Sequence, residues 1–232
     1  MKNFFVKIKY KYKPSRKILN LLIDEIKKIN CKNLAIFYSI QYELIAREIF
    51  KFLKNKFKIL AFKQVVGCNI KLFDVDAYIC VSDGYFHGLS IIKKQINNLF
   101  FKYKSFDIAY YIKPVFIINK EFKKIDETEI NKQINDLKAR WLNFNRAKNY
   151  GIIVSVKPGQ ENFDLALKIK EEIERTNKKA FLFLCNDIRL NEFDNFDIDF
   201  FIITACPQFS IERNKKLCNI EEFFIFKKLK AA

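Results

Sequence analysis

From residue 33 the chain reads "NLAIFYS", and similar apolar runs return as "FKILAF", "DAYICVS", "VFII", "YGIIVS", "KAFLFL" and "DFFIITA". Runs this short, rich in β-branched and aromatic residues, predict strands buried on both faces. Between them apolar positions recur every three or four residues. Ser15, after Pro14, predicts the cap of a helix that turns Ile18, Leu21, Leu22, Ile26 and Ile29 inward. Further helices are predicted over "YELIAREIFKFLKN", over 88–98, over 127–148 behind Asp126, and over "NFDLALKIKEEIER". The alternation in "FVKIKYKY" predicts a half-exposed strand, and "DIAYYI" another.

Strands alternating with helices imply parallel sheets covered on both faces. The fold class expected is α/β, as two similar three-layer α/β/α domains with mainly parallel sheets, over 1–125 and 126–232. The halves read as weak repeats: "LAIFYSIQYELIAREIFKFL" parallels "GIIVSVKPGQENFDLALKIKEEI" in strand, serine, Gln-bearing loop and helix. Each half also carries a cysteine beside a tiny residue, Gly67-Cys68 and Ala205-Cys206.

Half of the 232 residues are apolar, 26 of them Phe, which is the composition of a folded chain. Its longest apolar runs are too short to span a bilayer, and the lysine-interrupted N-terminus is no secretion signal, so a cytoplasmic protein without membrane partners is expected. The net charge of +17 favours acidic partners. Only seven of the 43 basic residues are arginine, and the lysines read as spread over solvated faces, so direct nucleic-acid binding is not expected.

In open parallel sheets, sites form beyond the carboxyl ends of strands. Four unusual stretches fall there: Ser39-Ile40-Gln41, Asp83 to His87, Val156 to Gln160, and Cys206-Pro207. Gly84 and Gly159 allow close backbone approach, although no complete dinucleotide or Walker loop is present. Cys80 and Cys185 belong to apolar strands and read as buried, while Cys31 and Cys218 carry no signal. Cys68 and Cys206 sit in turn-like contexts, and these residues alone leave them open between metal ligand and inert thiol. His87 is the sole histidine; it and Asp83 are equally open between site residue and loop structure. Lys157 and Arg140 could hold an anion or simply be exposed.

The stretches "QVVGCN", "DAYICVSDGYFHGLSI", "GIIVSVKPGQ" and "FFIITACPQFSIER" occur in that order in 33–215. They resemble the archaeal diphthamide-synthesis enzymes, the 2-(3-amino-3-carboxypropyl)histidine synthases. The resemblance implies three similar α/β domains, each giving one cysteine to a central 4Fe–4S cluster whose open iron takes S-adenosylmethionine. It further implies reductive C–S cleavage, release of a 3-amino-3-carboxypropyl radical, and its addition to a histidine of translation elongation factor 2. It assigns Cys68 and Cys206 to iron, and Asp83, Gly84, His87, Gly159 and Gln160 to the neighbourhood of the cofactor. Only the middle and C-terminal domains are matched, so a second chain is expected to bring the first domain and third thiolate. Cys31 is a substitute by position only. Gln208 and Arg213 depart from the family's usual motif. A non-catalytic companion subunit and a basic RNA- or ribosome-binding module are the alternatives.

Overall fold

The run Asn33–Tyr38 forms β1, an inner strand of the first sheet in the computed structural model, which describes residues 9–65, 70–157, 161–205 and 214–230. Parallel to one another lie β2 (Lys58–Gln64), β1, β3 (Ala77–Val81) and β4 (Val115–Ile118), with β5 (Phe122–Lys124) antiparallel at one edge, in the order β2-β1-β3-β4-β5. Leu34, Ile36 and Tyr38 face α1 (Arg16–Lys28) and α2 (Glu43–Leu53), where Leu22, Ile26, Ile45 and Ile49 complete the core. Ser15 caps α1 by accepting from the Ile18 N–H at 3.3 Å. On the opposite face α3 (Phe86–Tyr103) approaches so closely that a Cβ on Gly88 would lie 2.6 Å from Ile117 Cδ1.

The second sheet is wholly parallel: β6 (Asn149–Ser155), β7 (Lys179–Cys185), β8 (Phe200–Ile203) and β9 (Leu217–Asn219), ordered β7-β6-β8-β9. With it pack α4 (Glu127–Arg146), α5 (Phe163–Glu174) and α6 (Ile220–Lys230). Phe144 of α4 gathers Tyr150, Phe200, Phe223 and Phe226 at ring distances of 5.4, 5.6, 5.9 and 5.5 Å. The other face is aromatic too. Gly151 lies between Phe201, whose ring would meet an added Cβ at 2.5 Å, and Phe183 at 3.0 Å. Neither ring can withdraw without disturbing Phe193. Gly151→Ala is therefore expected to destabilise by about 1–3 kcal/mol through overpacking, read as a lower urea midpoint. An unchanged midpoint would mean that the rings move freely.

The described residues divide into two units, within Met1–Leu99 and Asp107–Asn131, and within Phe100–Phe106 and Lys132–Ala232. Both carry one local device. Asp76 Oδ2 accepts the Lys32 and Asn33 N–H groups at 2.8 Å each, tying the start of β3 to the start of β1. Asp199 Oδ2 does the same for Lys148 and Asn149 at 2.8 and 2.9 Å, tying β8 to β6. These N–H bonds hold both carboxyls below their usual range. A depressed carboxyl stabilises the fold above the unfolded value of about 4 and loses that contribution as pH falls through the folded value. Both units are thus expected to weaken below about pH 4, and Asp76→Asn with Asp199→Asn to flatten the acid limb of a pH–stability profile. A limb as steep as the parent's would locate the acid sensitivity elsewhere.

Several expectations change. The strand expected through "FVKIKYKY" is absent from its described part, where residues 9–12 are irregular. Tyr10 N–H bonds singly to the Gln41 carbonyl at 2.8 Å, with no ladder beside it. "DIAYYI" forms a 3-10 turn, Ala109–Tyr111: only Ile108 and Ile112 are buried, and Tyr110 stands 93% exposed. The helix expected over 88–98 spans Phe86–Tyr103, and β5, β9 and α6 were not anticipated. Cys218 lies inside β9, fully buried, and Cys185 at the end of β7 is only half-buried. Arg140, expected on an anion or in solvent, is buried against Glu222, with Nη2 to Oε1 at 2.8 Å. No helix among the described residues is long and apolar enough to cross a membrane.

Candidate functional site

At the carboxyl rim of the first sheet the strands end in polar residues. Ser39 N–H donates to the Val81 carbonyl at 3.1 Å and Ser82 N–H to that of Ile118 at 3.2 Å, so β1, β3 and β4 finish level. Beyond Ser82, Asp83 exposes its carboxylate, which accepts the Gly84 N–H at 3.1 Å. Gly84 takes φ +59, with no atom within 4 Å of where a Cβ would stand. That left-handed turn in open space suits glycine and leaves the backbone accessible.

His87 lies in the first turn of α3, its ring edge-on to Phe86 at 5.0 Å. Its Nδ1 is buried and has no partner among the described residues. Burial pushes the imidazole below the usual histidine range, so it is neutral at pH 7. The Tyr12 hydroxyl is buried and unpartnered as well. Burial first, then neighbouring Tyr42, Asp83 and Tyr10, push it up to about 12. This rim therefore gathers a carboxylate, a bare backbone turn, a neutral imidazole and a phenol. Asp83 and Gly84 lie in the loop after β3 and His87 in the first turn of α3; Tyr12 drew no notice in the sequence, because nothing in an alternating lysine tract singles it out.

In the second unit Ser155 ends β6, and its Oγ accepts the Lys157 N–H at 3.2 Å. Lys157 is ion-paired to Asp187. Thr204 follows β8: its hydroxyl and N–H both donate to the Ile153 carbonyl, and its own carbonyl accepts from Asn162 Nδ2 at 3.1 Å. The chain is thus held from both sides one residue before Ala205. Gly159 and Gln160, assigned to the cofactor's neighbourhood, lie outside the described residues, as do Cys68 and Cys206.

Chain order alone corrects the pairing of those two cysteines. Cys68 follows β2, the second strand of its unit, whereas Cys206 follows β8, the third of its own. The residue matching Cys206 by topology is Asp83. The repeat relates the scaffolds and not the cysteines.

The remaining thiols test whether the chain can hold an iron–sulfur cluster elsewhere. Cys31 lies before β1, at the opposite rim; its Sγ donates to the Asn33 carbonyl at 3.4 Å, and burial pushes it up to about 11. That placement, on the rim away from Asp83, does not favour it as a substitute ligand. Cys80 is fully buried beside Ser82 Oγ at 3.3 Å and pushed up to about 12. Burial raises Cys218 well above its ordinary value, and burial first also raises Cys185. Cluster ligands are thiolates, so these four are poorly suited. Among the described residues no group of three His, Cys, Asp or Glu is placed to hold a metal ion. Cys68 and Cys206 fit by type: they are soft donors, and in chain order they follow β2 and β8.

A family described as "Putative diphthamide synthesis protein" matches residues 1–223. A 2-(3-amino-3-carboxypropyl)histidine synthase of Methanocaldococcus jannaschii is 30% identical over 226 residues, covering 91% of this chain and 57% of its own. The Pyrococcus horikoshii protein of that name is 25% identical over 156 residues, covering 64% and 40%. The chain therefore spans about half the length of these curated relatives. Two crystal structures of Dph2 from Pyrococcus horikoshii, one with a 4Fe-4S cluster, share the fold at 22% identity. Their TM-scores are 0.70 and 0.71, each over 93% of this chain and over 62% and 64% of theirs. With α/β units on mainly parallel sheets and a family match over nearly all of its length, the chain belongs to the diphthamide synthesis protein family.

Proposed function

We propose that the chain is the two-domain part of an iron–sulfur, S-adenosylmethionine-dependent transferase that places a 3-amino-3-carboxypropyl group on a histidine of translation elongation factor 2. The observation that carries this reading is the sorting of the six cysteines. Four lie within or beside strands, with thiols held protonated by burial, while Cys68 and Cys206 follow strand carboxyl ends in a family whose relatives are named for this chemistry.

Cys68 and Cys206 would hold iron, and a second chain would supply the third thiolate. A bound cluster would supply the single electron that cleaves a sulfonium C–S bond into a thioether and an alkyl radical; the radical would add to the imidazole carbon between the two nitrogens, whose hydrogen would leave as a proton while the electron returned to the cluster. The protein's own residues bind and orient. The Asp83 carboxylate suits the ammonium of the amino-carboxypropyl group, and the open turn at Gly84 lets that group lie against backbone. His87, neutral at pH 7, offers a hydrogen bond without adding positive charge beside a sulfonium. Gly159 and Gln160 are proposed for the same ligand. The domains proposed are 1–125 and 126–232.

The test is anaerobic iron–sulfur reconstitution of this chain alone and with the chain carrying the first domain. Retention of about four irons by the pair, with a visible spectrum that shifts on adding S-adenosylmethionine, is expected. An iron-free pair would sink the proposal.

A further inference from the structure

The chain's positive charge is unevenly placed. Residues 1–73 carry 17 Lys and Arg against 4 Asp and Glu, whereas residues 74–232 carry 26 against 22. A lysine-rich composition by itself would charge both parts alike. From 49 to 73 there are six lysines and no carboxylate.

The fold brings much of this charge to the amino-terminal rim of the first sheet, opposite the rim that holds Asp83. Lys27 ends α1, Lys32 precedes β1, Lys54 and Lys56 form the turn after α2, Lys58 opens β2 and Lys113 precedes β4. All six are exposed, and none has a carboxylate within ion-pairing distance among the described residues. Their backbones are fixed. Lys58 N–H donates to the Lys32 carbonyl at 3.0 Å, Lys56 N–H to that of Leu53 at 2.9 Å, and Lys113 N–H to Gln95 Oε1 at 2.8 Å. Lys56 Nζ lies 5.1 Å from the centre of the half-buried Phe52 ring. Two acids precede β3 nearby, Asp74, which is exposed, and Asp76, which already accepts two N–H bonds.

Two plainer explanations fall short. Lysines at helix C-termini answer the dipole, but two helix ends offset about one charge together. Lysines guard edge strands, yet Lys27, Lys32 and Lys113 are not on the β2 edge. The corresponding rim of the second unit, with the same Asp device, also gathers lysines, Lys148, Lys179, Lys215 and Lys216, beside Asp197 and Asp199, but it belongs to the part of the chain whose charge is nearly balanced.

We propose that this amino-terminal rim, through Lys27, Lys32, Lys54, Lys56, Lys58 and Lys113, docks the phosphate backbone of a nucleic acid. This reverses the expectation drawn from total charge, which ignored placement, and it is independent of the iron site. Lysine ammoniums suit phosphates as point charges and need no forked geometry, unlike the arginines that pair with protein carboxylates. Sequence-independent binding with a steep salt dependence follows.

The experiment is fluorescence anisotropy of labelled RNA and DNA single strands of about 20 nucleotides with the full chain, and each lysine–phosphate contact contributes about −0.7 to the log–log salt slope. Four contacts predict about a 50-fold loss of affinity between about 50 and 200 mM salt. The variant Lys32→Gln/Lys54→Gln/Lys56→Gln/Lys58→Gln changes only exposed side chains. It is expected to lose at least about tenfold in affinity and about 3 in slope. Lys168→Gln/Lys179→Gln/Lys215→Gln/Lys216→Gln, an equal change of charge in the second unit, is expected to retain binding. Tighter RNA than DNA binding, or the reverse, names the natural ligand, and either supports the rim. Equal losses in the two variants, competition by polyglutamate as strong as by RNA, or no binding at about 50 mM salt would each overturn the proposal.

Discussion

Anaerobic reconstitution of Cys206→Ala is expected to leave the protein nearly iron-free, with its far-ultraviolet spectrum and unfolding midpoint unchanged. Cys68→Ala should behave the same way. In the assembled protein each replacement takes retained iron from about four per chain to below about one, because a cubane short of a thiolate is exposed and labile. The unchanged fold is half of the prediction. β8 ends at Ile203, Thr204 and Ala205 are buried, and Thr204 is tied to β6 and Asn162, so β8 is complete before Cys206 begins. Removing one sulfur beyond that point vacates no described core.

Cys80→Ala supplies the opposite result. That thiol is fully buried in β3 against Ser82, so its loss should lower stability by about 1 kcal/mol as a small cavity while iron is retained. If Cys206→Ala behaved like Cys80→Ala, destabilised but still holding iron, Cys206 would be an ordinary packing residue and the transferase reading would lose its anchor. Reading iron and stability on the same samples distinguishes the two.

The scaffold was legible because burial on both faces leaves a strong signature. "NLAIFYS", "DAYICVS" and "YGIIVS" have no alternation, and each proved to be an inner strand of a mainly parallel sheet. Elements whose burial rests on one or two side chains were not legible. β5 has three residues, two of them lysine, and β9 shows only Leu217-Cys218 between polar neighbours. α6 buries Phe223, Ile225 and Phe226 among other apolar residues and offers no clear periodic face. "DIAYYI" misled for the converse reason: aromatic content imitates a strand, although Tyr110 meets nothing that would bury it.

Among candidate site residues, Asp83, Gly84 and His87 drew notice because a strand ends before them. The burial of Arg140 was not legible because its partner, Glu222, lies 82 positions away. The Asp76 and Asp199 devices had a readable signal, a Lys-Asn pair before β1 and before β6 with an aspartate leading the third strand of each unit. Placement of the basic rim had one too, since counting lysines along the chain, instead of in total, would have shown it.

Loss of the carboxylate at Glu222 should be the most damaging single change in the second unit. Arg140 is 6% exposed and Glu222 5%, so both charges have left water. Glu222 Oε1 accepts from Arg140 Nη2 at 2.8 Å, and Oε2 accepts the Asn219 N–H at 3.3 Å. Asn219 Oδ1 in turn accepts the Glu222 N–H at 2.8 Å, a reciprocal cap on α6. One carboxylate thus neutralises a buried guanidinium of α4 and starts the helix that carries Phe223 and Phe226 into the core. Glu222→Ala leaves Arg140 buried and uncompensated and removes the cap. The expected destabilisation is about 3–5 kcal/mol, a large share of the roughly 5–15 kcal/mol that holds a domain together.

Trp141, the chain's single tryptophan, lies next to Arg140 in α4, so its fluorescence during urea unfolding reports this unit. Replacing both partners, Arg140→Met with Glu222→Leu, should recover most of the loss, because a buried pair exchanged for packed apolar side chains is nearly neutral or better. A single-variant loss below about 1 kcal/mol would show that water reaches Arg140. Failure of the double variant to recover would instead make the cap, and not the ion pair, the larger contribution of Glu222.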